Sequence, residues 1–262
     1  MKKASIILTL LILLTSCSEN QENIMNMGLS VSNENQTNTV WVNNEPVKFI
    51  EPNGYGVVPL KLVFKKGTNK VYVTSKNESE EEGFTNVTIK EGTWDKPDDI
   101  ITHFNWETKK KNDKSSLFTY QMETGYRSDL SGFDNVTLTT EDEIRKVIND
   151  VYHNVKKSLE KKTLTGTGIS EAKMDLLMKS AFKVDNYNDA VFNSKSYSVQ
   201  TPSKPEELEY IIGTKTIFVY NPNGENILKA GPEQTHDGKM VYSFMLESMS
   251  LVKSNNTWKL SF

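Results

Sequence analysis

Cysteine is almost missing from this sequence: Cys17 is the only one in 262 residues. A disulfide within the chain is therefore excluded, as are a cysteine nucleophile and a cysteine-ligated zinc site after residue 17. Histidine is scarce too. His103, His153 and His236 lie far apart, and none has a second histidine three or four residues away, so no metal-ligand spacing is present. There is no Gly-x-Ser-x-Gly elbow and no phosphate-cradling glycine loop; Gly166 and Gly168 alone do not make one. The acidic stretches Asp98-Asp99 and Glu78 to Glu82 lack the alternating ligands and glycine of a calcium loop. These absences imply no cofactor and no metal. Charge of one sign is lacking as well, with 31 basic against 34 acidic residues. The lysine runs at 109–111 and 161–162 are short, which argues against nucleic-acid binding. After residue 17 no apolar run is long enough to span a bilayer.

What is present begins with a targeting segment. Lys2 and Lys3 precede an apolar run over residues 4–14, interrupted by Ser5 and Thr9. That run is about half of the roughly 20 residues a membrane-spanning helix needs. It ends in Leu14-Thr15-Ser16-Cys17. An apolar residue, two small residues and a cysteine resemble the bacterial lipobox. The resemblance implies cleavage before Cys17 and lipid attached to its sulfur. Several acyl chains hold a membrane firmly where one does not, at about 0.8 kcal/mol per buried methylene. Residues 1–16 are then a signal peptide and 17–25 a polar tether. Removing the first 16 of 262 residues leaves 246, with 29 basic and 34 acidic side chains once Lys2 and Lys3 are gone. Ser18 after the cysteine resembles the outer-membrane sorting pattern of enteric bacteria, so export to the envelope, outer membrane before inner, is expected.

Two domains follow from a change of pattern. Residues 26–135 read as short strands rich in Val, Thr, Tyr, Phe and Trp, split by Asn, Gly and Pro. Thr39 to Val42 leads through Asn43-Asn44-Glu45-Pro46 into Val47 to Ile50, a hairpin with asparagines in the turn. Leu60 to Phe64 runs on into Lys65-Lys66-Gly67-Thr68-Asn69, and Lys70 to Thr74 emerges with Val71 and Val73 on one face. Further strands are expected at 84–89, 100–107 and 117–123. Lysine-glycine-x-asparagine followed by alternating valines resembles a hairpin of immunoglobulin-like and jelly-roll modules. The expectation is an antiparallel β-sandwich.

Residues 136–262 read as α+β. Thr140-Glu141-Asp142-Glu143 is a capping box with three acids at the positive end of a helix. Ile144, Val147, Ile148, Val151, Val155 and Leu159 recur at helical spacing and predict a buried stripe, with Arg145, Lys146 and Asn149 outside. Ser170 opens a second predicted helix with Met174, Leu177, Met178 and Ala181 inside. Strands are expected at 208–212, 216–220 and 239–252, with turns at Asn221-Pro222-Asn223-Gly224 and Ser254-Asn255-Asn256. A long first helix and a closing hairpin with a tryptophan resemble the cone-shaped fold of nuclear transport factor two and its SnoaL-like relatives. The predicted class is α+β: an N-terminal antiparallel sandwich, then a helix with a curved antiparallel sheet.

Candidate sites are few. Asp150 and His153 lie three apart on one helix, and the cone-fold resemblance would place an acid and a base inside the cone. Asp150 falls beside the buried stripe, toward solvent. Trp94 sits in a loop-like stretch, and with Trp41 and Trp106 it suggests a sugar-stacking platform; core packing of Trp41 and Trp106 is the plainer reading. The function expected is non-catalytic binding of a protein or glycan by an envelope protein held to a membrane through lipid on Cys17. An enzyme in the C-terminal cone and a structural subunit of an envelope assembly are the alternatives.

Overall fold

In the computed structural model the described residues form antiparallel sheets and one long helix, an α+β fold. The structure describes residues 27–77, 79–93, 96–108, 113–122, 130–169, 171, 191–193, 197–232 and 244–261. The signal segment, Cys17, Trp94, His236 and the second predicted helix lie outside the described residues. Two compact units are present: an N-terminal one to Gly132 that also takes residues 211–218, and a C-terminal one made of Phe133–Tyr210 and Val219–Phe262.

The N-terminal unit has eight strands in two four-stranded antiparallel sheets. Strands β1 (Met27–Glu34), β4 (Tyr55–Pro59), β6 (Gly83–Thr93) and β7 (Lys96–Thr108) form one sheet in the order β4-β1-β6-β7. Strands β2 (Thr37–Val42), β3 (Glu45–Ile50), β5 (Gly67–Lys76) and β8 (Asp113–Met122) form the other in the order β3-β2-β5-β8. The pairs β1–β2, β3–β4, β5–β6 and β7–β8 each cross from one sheet to the other. Asn35 and Asn53 sit in the first two crossings with φ of 58° and 59°, a conformation asparagine tolerates better than most residues.

Period-2 alternation turns Leu29, Val31, Val87 and Ile89 of one sheet, and Val40, Val42, Val71 and Val73 of the other, into the core. The hairpin between β2 and β3 is tighter than the sequence suggests. Asn43 and Asn44 alone make the turn, with φ of 54° and 66°, the pattern of a two-residue hairpin. Glu45 and Pro46 belong to β3, an edge strand where proline is tolerated. Leu60–Val63 is a single helical turn, α1, not a strand. Its segment connects β4 of one sheet to β5 of the other, and Leu60, Val63 and Phe64 are buried there. Asn69, also buried, ties the turn that follows: its Oδ1 accepts from Lys65 N at 3.0 Å and its Nδ2 donates to the Lys65 and Gly67 carbonyls at 2.7 and 3.0 Å.

In the C-terminal unit α2 (Glu141–Glu160) starts where the capping box predicts. Thr140 Oγ1 accepts from Glu143 N, and Glu143 Oε2 accepts from Thr140 N, both at 3.4 Å. Its buried face is Ile144, Ile148, Val151, Tyr152, Val155 and Leu159. Tyr152 takes the place expected for Val147, which is only half-buried. Arg145, expected in solvent, instead donates to the Leu208 carbonyl, pairs with Glu141 at 3.3 Å and Glu209 at 3.6 Å, and lies over the Tyr210 ring. Two further sheets are β13-β12-β9 and β10-β11-β14-β15, built from β9 (Tyr197–Gln200), β10 (Glu209–Ile212), β11 (Thr216–Tyr220), β12 (Leu228–Pro232), β13 (Phe244–Leu246), β14 (Ser248–Ser254) and β15 (Thr257–Leu260); residues 211–218 of β10, β11 and the turn between them count with the N-terminal unit. The strand expected over 239–252 is broken at Glu247, so that β13 and β14 lie in different sheets. The closing hairpin turns on Asn255 and Asn256, with φ of 51° and 60°.

Candidate functional site

The most exposed aromatic side chains among the described residues share one surface. Tyr55 is 69 % and Phe84 is 36 % exposed. Register places both on the outer face of sheet β4-β1-β6-β7. Val31 pairs with Gly56 and Val87 on the inner side, so the next row, Tyr55, Ser32, Asn86 and Asn105, points outward. The row beyond it holds Glu34, Phe84 and Glu107. Two strand spacings of about 4.8 Å and two residues of about 3.4 Å put the Tyr55 and Phe84 backbones roughly 12 Å apart on the diagonal. Between the rings lie hydroxyl and amide side chains. Asn86 Oδ1 is covered and without a hydrogen-bond partner in the structure. A sheet face with two exposed rings and neutral donors and acceptors can stack on apolar faces and hydrogen-bond hydroxyls.

Behind that face lies a buried polar cluster. Asn38 Nδ2 donates to Ser75 Oγ at 2.5 Å and Thr85 Oγ1 at 2.9 Å, Asn33 Nδ2 donates to Asn38 Oδ1 at 2.6 Å, and Gln36 donates to Thr85. Gln36, Asn38, Ser75 and Thr85 are all buried. The cluster joins β1, β2, β5 and β6 near the crossing at Asn35.

The other sheet carries a second aromatic pair on its outward side. Trp41 and Tyr72, opposite each other in β2 and β5, stack with centroids 5.5 Å apart and planes 8° apart. Trp41 Nε1 donates to Thr74 Oγ1 at 3.0 Å. Trp41 is half-buried and alternates with the core residues Val40 and Val42, so it is not part of the sandwich core. The Tyr72 hydroxyl holds its proton above the ordinary tyrosine range, first through partial burial and then through the negative charge of Glu45.

Of the residues singled out in the sequence, Asp150 and His153 are both exposed on α2. They are not hydrogen-bonded to each other; His153 Nδ1 lies 2.8 Å from the Asn149 carbonyl. That arrangement makes no acid–base pair. The backbone of His103 pairs with Thr88 in the outer sheet, and that of Trp106 with Thr85. Gly168 is a close-packing glycine: a Cβ there would stand 2.3 Å from the Leu260 carbonyl oxygen. Among the described residues no group of three acidic, histidine or cysteine side chains is placed to hold a metal, and no helix is long and apolar enough to cross a membrane. Tyr55 and Phe84 were passed over in the sequence, although a signal existed: Phe84 is out of phase with Val87 and Ile89, and so faces away from the core.

Neither a protein-family model, nor a curated protein, nor a solved structure matches the chain.

Proposed function

We propose that this chain is a non-catalytic envelope lipoprotein, tethered through lipid on Cys17, that binds a glycan on the outer face of sheet β4-β1-β6-β7. One observation carries the reading. Tyr55 and Phe84 are exposed on one face, with Ser32, Asn86 and Asn105 in register beside them. Aromatic rings on a sheet face stack on sugar faces, and neutral amides match hydroxyls without the desolvation cost of a charge. The half-buried Trp41–Tyr72 stack offers less ring surface. The enzyme alternative draws no support from Asp150 and His153, which are exposed and unjoined. Trp94 stays a candidate from the sequence for the same glycan.

The anchor and the C-terminal fold belong to the same proposal. The lipobox resemblance at Leu14-Thr15-Ser16-Cys17 supports export and lipidation, to the outer membrane before the inner. A long capped helix followed by antiparallel strands and the β14–β15 hairpin supports the cone-like reading of the C-terminal half.

A glycan array probed with the soluble mature chain tests the binding. Tyr55→Ala and Phe84→Ala should each weaken any glycan retained by about ten-fold, equivalent to about 1.4 kcal/mol, while folding stability stays within about 0.5 kcal/mol. Trp94→Ala is the parallel variant. Glycan binding unaffected by Tyr55→Ala and Phe84→Ala, or a pull-down from envelope that recovers only a protein partner, would reject the face proposed. Metabolic labelling with an alkyne fatty acid should mark the wild type and not Cys17→Ser.

A further inference from the structure

We infer that the turn over residues 213–216, which joins β10 to β11, forms a detachable strap of the N-terminal unit, and that the Glu45 carboxylate is the latch that holds it. Glu45 opens β3 and is only 4 % exposed. Its Oε1 accepts from Lys215 N at 2.9 Å. Its Oε2 accepts from Lys215 N at 3.2 Å, from Thr216 N at 3.1 Å and from Thr216 Oγ1 at 2.7 Å. These donors come from two adjacent residues, 170 and 171 positions away in sequence. Thr214 N adds a bond of 3.3 Å to the Asn44 carbonyl.

The strap closes on itself through Gly213 N to the Thr216 carbonyl at 2.8 Å. Gly213 also lets the backbone come in close: a Cβ there would stand 2.3 Å from Glu45 Oε2 and 2.7 Å from Pro46 Cδ. The start of the strap and the residues just before it bury little. Ile212 and Thr214 are exposed, and Ile211, Gly213 and Lys215 are half-buried. Its hold is polar, in contrast to Ile217 and Phe218, which are buried. Bonds to a carboxylate are among the stronger ones while made. A burial that rests on donors from one short segment is also lost as a unit when that segment lifts. Residues 213–216 are thus the place where this unit opens, baring the Asn44 carbonyl and the start of edge strand β3.

Hydrogen–deuterium exchange of the full chain, read by mass spectrometry, tests the latch. In Glu45→Gln the amide NH₂ replaces one acceptor oxygen and meets N–H donors. Amides 213–216 should then exchange about ten-fold faster or more, the size expected for losing a charge-assisted bond, while Val71 to Val73 keep their protection. Thr216→Val removes only the hydroxyl donor and should give a smaller acceleration at the same amides; it decides the matter if Glu45→Gln does not fold. Unchanged exchange at 213–216 in either folded variant overturns the proposal. So does acceleration spread equally over Val71 to Val73, since Glu45 would then support the whole unit and not a strap.

Discussion

The hydroxyl of Tyr197 donates to the carbonyl of Leu159 across 2.6 Å, fastening β9 to the last turn of α2. That carbonyl also accepts from Lys162 N at 2.8 Å just past the helix, so the phenol is a second donor at the helix C-terminus. Burial first, and then the charge of Glu160, push the tyrosine's proton affinity well above the ordinary range. A raised folded-state pKa stabilises below the unfolded value of about 10 and loses that stability as pH rises through it. The wild type should therefore lose thermal stability between about pH 10 and pH 11 more steeply than Tyr197→Phe, measured by circular dichroism melting. At pH 7 the phenylalanine variant should be less stable by about 1 kcal/mol. Equal slopes above pH 10 would show that Tyr197 does not titrate in the way its surroundings demand.

The start of α2 predicts the opposite pH response. Hydrogen bonds from Thr140 and Thr139 hold the Glu143 carboxyl below its usual range. A depressed pKa stabilises above the unfolded value and is lost as pH falls through the folded one. The helix should fray as pH drops below about 4.5. Glu143→Gln should flatten that acid limb in urea titrations at stepped pH. Thr140→Ala should cost about 1 kcal/mol at neutral pH.

Gly168 has φ of 95° and lies against the β15 backbone, whose Leu260 N donates to the Thr167 carbonyl at 3.0 Å. Alanine would need both a left-handed backbone and space that Leu260 occupies. Gly168→Ala should destabilise by more than 1 kcal/mol. Gly166→Ala, with φ of 84° and open space around it, should cost less. A larger loss at Gly166 in chemical denaturation would refute the close-packing explanation.

Asn38→Ala would leave Asn33, Ser75 and Thr85 short of a buried partner at once. The expected cost is about 1–3 kcal/mol, seen as a lower urea midpoint with the slope unchanged. A neutral outcome would mean that water fills the site.

Local elements were legible in the sequence. The capping box marked the start of α2, paired asparagines marked the hairpin turns, and alternation put Val71 and Val73 on one face, which is the core face. Each depends on hydrogen bonds or periodicity within a few residues. The misreadings also have physical reasons. An apolar run of five cannot be told from a buried helical turn by period alone, as Leu60 to Phe64 shows. The helical stripe on α2 admitted Val147, but the loop after β9 engages Tyr152, whose hydroxyl reaches the Ser203 carbonyl at 2.9 Å.

By itself the sequence determined the class of fold, the helix start, the asparagine turns and the exclusion of a disulfide within the chain, because those follow from residue identity and near neighbours. Only the tertiary structure decided the strand order of the two sheets, that Tyr55 and Phe84 share a face, and that Glu45 meets Lys215 and Thr216. Those depend on strand register and on contacts across long stretches of chain, where packing chooses among pairings that local pattern leaves equivalent.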